Sequence, residues 1–148
     1  MDEPEFKREG NLDLLRWIGW AQRKAAEDWI RERDLTFEQG FALGFLEQFP
    51  GSMQRDIAKM TRTSAASVSS LLQGLERKAL IERRTEHGDE RSKRVYATPA
   101  GSKLIQGFEA AMAEANDTIL EPLSEAERTT LFDLLGKITA ALPQPSRS

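Results

Sequence analysis

Cysteine is absent from the 148 residues, and histidine occurs once, at His87. A chain without thiols forms no disulfides and has no cysteine nucleophile or cysteine-ligated zinc, and one histidine excludes a multi-histidine metal site. No apolar run approaches the roughly 18 residues of a spanning helix, and the charged segment Met1 to Gly10 lacks the apolar stretch of a signal peptide. We therefore expect a cytoplasmic protein without a metal or cofactor.

The residue patterns of enzymes are also missing. A hydrolytic triad would need His87 beside a nucleophile and an acid, but its polar surroundings predict an exposed turn instead of a pocket. Gly40, Gly44 and Gly51 are too scattered for a phosphate-binding loop, and no Gly-Lys-Ser or Gly-Lys-Thr occurs. We do not expect an enzyme, and hydrolase or transferase activity in the pure protein would revive that option.

Charge is unevenly distributed along the chain. Residues 52–103 contain 11 Lys and Arg against 6 Asp and Glu, a net charge of +5, whereas the remainder carries −8. A basic middle between acidic ends favours one surface that faces a polyanion. A solvated helical face that happens to be basic is the alternative, so charge alone favours nucleic acid only modestly.

Apolar spacing and capping signals predict helices in the first half of the chain. Residues Asn11 to Arg33 repeat apolar side chains every three or four positions. Thr36 with Gln39 forms a capping box that begins a helix through about Gln48. Two further helices follow, one from an N-cap at Ser52 to about Met60 and one from an N-cap at Ser64 to about Lys78.

The second half predicts a hairpin and two helices. Two strands, Leu80 to Glu86 and Lys93 to Thr98, flank a polar turn that contains glycine. Thr98 with Pro99 begins one helix whose apolar side continues to Ile119. Ser124 with Glu127 is a second capping box and begins the last helix.

Two short helices joined by a tight turn predict a helix-turn-helix in the middle of the chain. The second helix is expected to pack an apolar face inward, made up of Val68, Leu71, Leu72 and Leu75. Its opposite face carries short side chains. Such a face fits deep in a DNA major groove, where hydroxyl and amide groups meet base edges. An ordinary surface helix would favour Lys, Glu and Gln instead. The groove-facing residues are Thr63, Ser64, Ala65, Ala66, Ser67, Ser69, Ser70 and Gln73.

The hairpin that follows predicts a wing beside this helix. Arg84, Lys93 and Arg94 are its candidate DNA contacts, and Arg91 near the tip suits a narrow minor groove. Asp89 is placed to orient Arg91 through a charge-assisted hydrogen bond. A solvated hairpin with weak local ion pairs is the alternative.

Together these segments resemble the MarR family of multiple antibiotic resistance regulators. The matching segments are Leu35-Thr36 with Gln39, Ile57-Ala58 with Met60, Ser67-Val68-Ser69, Leu75-Glu76-Arg77-Lys78-Ala79-Leu80-Ile81, and Asp89-Glu90-Arg91-Ser92. Three positions depart from the family pattern. Ser70 stands where arginine is common, and Ala97 replaces a larger apolar residue in the second strand. Ala79 replaces the usual glycine, at a cost of roughly 1 kcal/mol if that residue is left-handed.

The resemblance implies a mainly α fold with a small β-hairpin wing, a winged helix-turn-helix with N- and C-terminal dimerisation helices. It divides the chain into residues 1–34 for dimerisation, 35–101 for DNA binding and 102–148 for dimerisation. A homodimer of this kind binds a near-palindromic operator with half-sites roughly 34 Å apart.

The family also implies a repressor released by a small aromatic or anionic effector. Trp17, Trp20, Phe41 and Phe45 are candidates to line its pocket, although each of them taken alone suits core packing. The alternative function is a winged-helix protein-interaction module or a nonspecific architectural DNA-binding module, which the substitution at Ser70 makes worth testing.

Overall fold

The computed structural model describes residues 9–85 and 93–144. Across these ranges the chain forms helices and one antiparallel hairpin. The elements are α1 (Asn11–Arg31), α2 (Phe37–Gln48), α3 (Gln54–Thr61), α4 (Ala65–Arg77), β1 (Ile81–Thr85), β2 (Lys93–Ala97), α5 (Pro99–Ile105), α6 (Phe108–Ile119) and α7 (Glu125–Ala140). The expected mainly helical winged-helix fold is confirmed. Within the described ranges, no helix is both long and apolar enough to cross a membrane.

The described residues separate into two compact units. The central unit comprises residues 30–85 and 93–107 and contains α2 to α5 with the hairpin. The terminal unit comprises residues 9–29 and 108–144 and contains most of α1 with α6 and α7. The functional boundaries expected after residues 34 and 101 stay a prediction.

The hydrophobic core lies in the central unit. Every buried apolar side chain in the described part of the chain belongs to it, and these are Ile30, Leu35, Ala42, Leu43, Leu46, Ile57, Val68, Leu72, Leu75, Leu80, Ile81, Val95 and Ile105. Gly40 lets the end of α1 approach α2, because a Cβ atom there would lie 2.6 Å from the side chain of Ile30. The core therefore fixes α4 and the hairpin on one scaffold.

The capping boxes expected from the sequence are confirmed. The Thr36 hydroxyl accepts from the Gln39 backbone N–H at 3.1 Å, and Gln39 Oε1 accepts from the Thr36 N–H at 3.1 Å. Ser124 and Glu127 repeat this exchange at 3.2 and 3.0 Å. The pKa of Glu127 is lowered, first by the hydrogen bond with the Ser124 backbone and to a lesser extent by the hydrogen bond with the Ser124 side chain.

The N-cap expected at Ser52 is wrong, because α3 is capped one residue later. Met53 is the N-cap, and its backbone N–H donates to Asp56 Oδ2 at 3.0 Å. Ser52 makes other hydrogen bonds instead. Its hydroxyl donates to the Phe49 carbonyl at 2.6 Å, and its backbone carbonyl accepts from the Val95 N–H at 2.9 Å. A tertiary contact with the hairpin therefore overrides the local capping signal.

The single helix expected from Pro99 to Ile119 is also wrong. Thr98 caps its start as expected, accepting from Gly101 N at 3.1 Å, but α5 ends at Ile105. Gly107 has φ +89°, outside the right-handed helical region, and α6 begins at the next residue. Glycine adopts this conformation without the steric penalty of a Cβ atom. The chain therefore leaves the helical path at Gly107, between α5 of the central unit and α6 of the terminal unit.

Candidate nucleic-acid interface

Helix α4 is held in the central unit by one apolar face. Val68, Leu72 and Leu75 are fully buried. Ser64 caps the helix, and its hydroxyl accepts from Ser67 N at 3.1 Å. The turn from α3 passes through Arg62, which is left-handed at φ +55°. The turn and the cap together fix where α4 begins.

The opposite face of α4 is open to solvent. Residues 63–67 are all exposed, as are Ser70 and Gln73, whereas Ser69 is half-buried. The first turn contains no acidic side chain, so nothing there offsets the positive end of the helix dipole. The structure thus leaves the short side chains expected to read DNA accessible to solvent, apart from the half-buried Ser69.

Arg83 links three elements of the central unit. It forms an ion pair with Glu76 on α4, and its Nη1 donates to Gln54 Oε1 on α3 at 3.3 Å. Gln54 Nε2 in turn donates to the Ala65 carbonyl at 3.4 Å. Arg83 is only 23% exposed, so this basic side chain braces the hairpin against α3 and α4.

A second brace holds the end of α4. Lys78, the C-cap, donates from Nζ to the Asp34 carbonyl at 2.8 Å and to Gln39 Oε1 at 3.4 Å. Gln54, Glu76 and Lys78 were not predicted from the sequence as positioning residues. Their partners are distant in sequence, so no local pattern indicates these contacts.

The hairpin carries three further basic side chains. In its antiparallel register Arg84 lies opposite Arg94 and Thr85 opposite Lys93. The Arg84 guanidinium stacks on the Tyr96 ring, 4.4 Å from its centroid, and pairs with Glu82. Arg94 Nη1 donates to the Gly51 carbonyl at 3.4 Å. Lys93 is exposed, and the three cations lie at the outer end of the hairpin.

The expected wing-tip contacts, Asp89 and Arg91, lie outside the described residues, as does His87. Their roles stay predictions.

The candidate ligand residues fall in both units. Trp17 and Trp20 belong to the terminal unit, and Phe41 and Phe45 to the central unit. Trp20 and Phe41 are 58% and 45% exposed. Phe41 also stacks on Phe37 with ring centroids 5.8 Å apart. A pocket shared by the four residues stays a prediction.

Comparison with known proteins identifies transcriptional regulators as relatives. A family model described as the MarR family matches residues 33–92. The chain is 32% identical over 111 residues to BilQ, an HTH-type transcriptional regulator of Clostridium symbiosum, and the match covers 68% of this chain and 74% of BilQ.

Solved structures of MepR from Staphylococcus aureus are similar over nearly their whole length. One shows MepR as a transcription regulator of the multidrug efflux pump MepA, with a TM-score of 0.78, 34% identity, and coverage of 90% of this chain and 99% of MepR. Another is a MepR–DNA complex, with a TM-score of 0.67, 35% identity, and coverage of 90% and 98%.

Proposed function

This chain belongs to the MarR family of winged-helix transcriptional regulators, and on that premise we propose that it binds double-stranded DNA at a near-palindromic operator as a homodimer. It acts as a repressor, and a small aromatic or anionic ligand releases it from DNA.

The observation that carries this proposal is the outward face of α4. A helix whose exposed side is Ser, Ala and Gln presents little bulk and several hydrogen-bonding groups, which suits entry into the major groove. The braces from Arg83 and Lys78 support a fixed geometry for that helix. We expect the hairpin cations Arg84, Lys93 and Arg94, which follow α4 in the chain, to contact the flanking phosphate backbone. The MepR–DNA complex shows that a similar protein binds DNA.

The homodimer is supported by the apolar surface of the terminal unit. None of its described side chains is fully buried, and large apolar groups on α1 and α7 are open, with Leu12 70%, Trp20 58%, Phe132 77%, Leu134 55% and Ile138 53% exposed. A unit this apolar without a core needs a second surface to cover it. Two copies related by a two-fold axis supply that surface and place two α4 helices on one duplex.

The ligand response is supported by exposed aromatic side chains in both units. Trp20 in one unit and Phe41 in the other are exposed and offer faces for an aromatic acid, whereas Trp17 and Phe45 are half-buried. Such a ligand shifts DNA affinity only if it prefers the arrangement of the units that does not fit the operator.

Selection from random double-stranded DNA with the purified protein tests the proposal. We expect a two-fold symmetric consensus, and a titration with aromatic acids should weaken its binding. The ratio of affinities for the selected and random duplexes should stay large as salt rises, because only the nonspecific term depends entirely on phosphate contacts. A ratio near one would instead indicate the architectural or protein-interaction function that the serine at position 70 keeps open.

A further inference from the structure

Two pairs of hydroxyl groups precede and open α4. Thr61 Oγ1 lies 2.7 Å from Thr63 Oγ1, and Ser64 Oγ lies 3.0 Å from Ser67 Oγ. Thr63 and Ser67 are exposed on the surface proposed to face DNA. The direction of each hydrogen bond decides what these two hydroxyls can offer a base.

The proton count fixes the direction of the threonine pair. Thr61 Oγ1 also lies 2.8 Å from the Ile57 carbonyl oxygen. Each of these two short oxygen–oxygen contacts requires one proton, and the carbonyl has none to give. The Thr61 proton must therefore point to Ile57, and the contact between the threonines takes the proton of Thr63. Thr63 is left with lone pairs only, so it presents an acceptor to any outside partner.

The serine pair has the opposite polarity. The Ser64 hydroxyl donates to Ser67 Oγ, while Ser64 Oγ accepts from Ser67 N at 3.1 Å. The Ser67 proton is not used in this exchange and can be donated outward. A hydroxyl that already accepts a hydrogen bond is a stronger donor, so Ser67 suits a phosphate oxygen or a base acceptor.

We propose that Thr63 is a specificity-determining residue that reads an exocyclic amino group in the major groove. Adenine N6 and cytosine N4 are the amino donors there, whereas guanine and thymine present only acceptors. Phosphate oxygens are acceptors too, so a hydroxyl without a free proton cannot donate a hydrogen bond to them. The proposal rests on the proposed DNA-binding function and adds which bases this position selects.

Selection from random duplexes with the parent and Thr63→Val tests the assignment. The parent should prefer adenine or cytosine at one position on the contacted strand of each half-site. Thr63→Val keeps the shape of the side chain without its oxygen, and we expect it to lose about three- to ten-fold of discrimination at that position alone, the value of one neutral hydrogen bond. Thr118→Val, the matched control, makes the same exchange at an exposed position on α6 in the terminal unit and should leave that position unchanged.

Thr61→Val tests the polarity itself. It removes the acceptor that holds the Thr63 proton, so Thr63 becomes able to donate, and the same position should then also accept guanine or thymine. A structural role for the pair would not produce this change of base preference. Thermal unfolding of each variant verifies that it is folded before selection.

The outcomes separate the two proposals. A parent consensus that Thr63→Val leaves intact overturns this inference while the DNA-binding function stands. A preference for guanine or thymine at the affected position, or an unchanged preference in Thr61→Val, overturns the assigned polarity. Absence of any consensus for the folded parent refutes the proposed function itself.

Discussion

Replacing Ala79 by glycine should stabilise the protein. Ala79 has φ +59° and follows Lys78, the C-cap of α4. Its N–H donates to the Glu76 carbonyl at 2.9 Å, and the Leu80 N–H donates to the Leu75 carbonyl at 3.0 Å. These two bonds define a Schellman motif, in which the left-handed position is usually glycine.

The size of the effect follows from two opposing contributions. A left-handed conformation costs an L-residue about 1–2 kcal/mol because its Cβ atom crowds the following carbonyl. Glycine also gains freedom in the unfolded chain, which offsets about 0.4–1 kcal/mol. The net gain in the free energy of unfolding for Ala79→Gly is about 1 kcal/mol, which corresponds to a rise in Tm of about 2–4 °C for a chain of this size.

Thermal and denaturant unfolding at one fixed protein concentration measure this change. Ala79→Asn should be intermediate, because asparagine tolerates the left-handed region. Ala66→Gly, on the exposed side of the same helix, should lower the Tm because glycine is unfavourable in a right-handed helix. A lower Tm for Ala79→Gly, or equal shifts for the two glycine substitutions, would refute the reasoning.

Three further predictions concern packing, the brace and pH. Gly101→Ala should lower the free energy of unfolding by about 1–3 kcal/mol, because its Cβ would lie 2.1 Å from the Leu80 carbonyl oxygen. Gly44→Ala is the control, since a Cβ there would have nothing within 4 Å, and it should raise the free energy of unfolding. Denaturant titration measures both variants. A double-mutant cycle with Glu76→Gln and Arg83→Gln should give a coupling energy of about 0.5–3 kcal/mol, and additive effects would show that the pair does not brace the hairpin. The folded-state pKa of Glu127 is lowered, so its charged form stabilises the fold at every pH above the ordinary glutamate pKa. This stabilisation is lost as the pH falls through the lowered pKa. Thermal unfolding should therefore give the parent a higher Tm than Glu127→Gln at neutral pH, and the two Tm values should converge in acid. A Tm difference that does not change with pH would contradict the lowered pKa.

Features encoded within a few residues could be predicted from the sequence. The capping box at Thr36 and Gln39 needs only a three-residue spacing, and the structure has it as expected. The cap at Ser64 and the inward face of α4 follow from local polarity and helical spacing in the same way. Most of the candidate DNA-binding surface of α4 could therefore be predicted from the sequence.

Features set by contacts between distant segments could not be predicted. Ser52 has a good capping side chain, but its backbone pairs with the hairpin and the cap moves to Met53. Lys78 reaches a carbonyl 44 residues away and Arg83 an amide 29 residues away. The pattern of apolar residues indicates which side chains are buried but carries no information on which polar partners then meet.

We expect the exposed face of α4 to contact DNA. Fluorescence anisotropy with the selected duplex, at fixed near-physiological salt, tests it through Ser70→Glu, which adds one negative charge to that face. Ala100→Glu adds the same charge on the exposed first turn of α5 and serves as the matched control. We predict that Ser70→Glu weakens binding at least about ten-fold more than Ala100→Glu, and equal affinities for the two folded variants would contradict the claim.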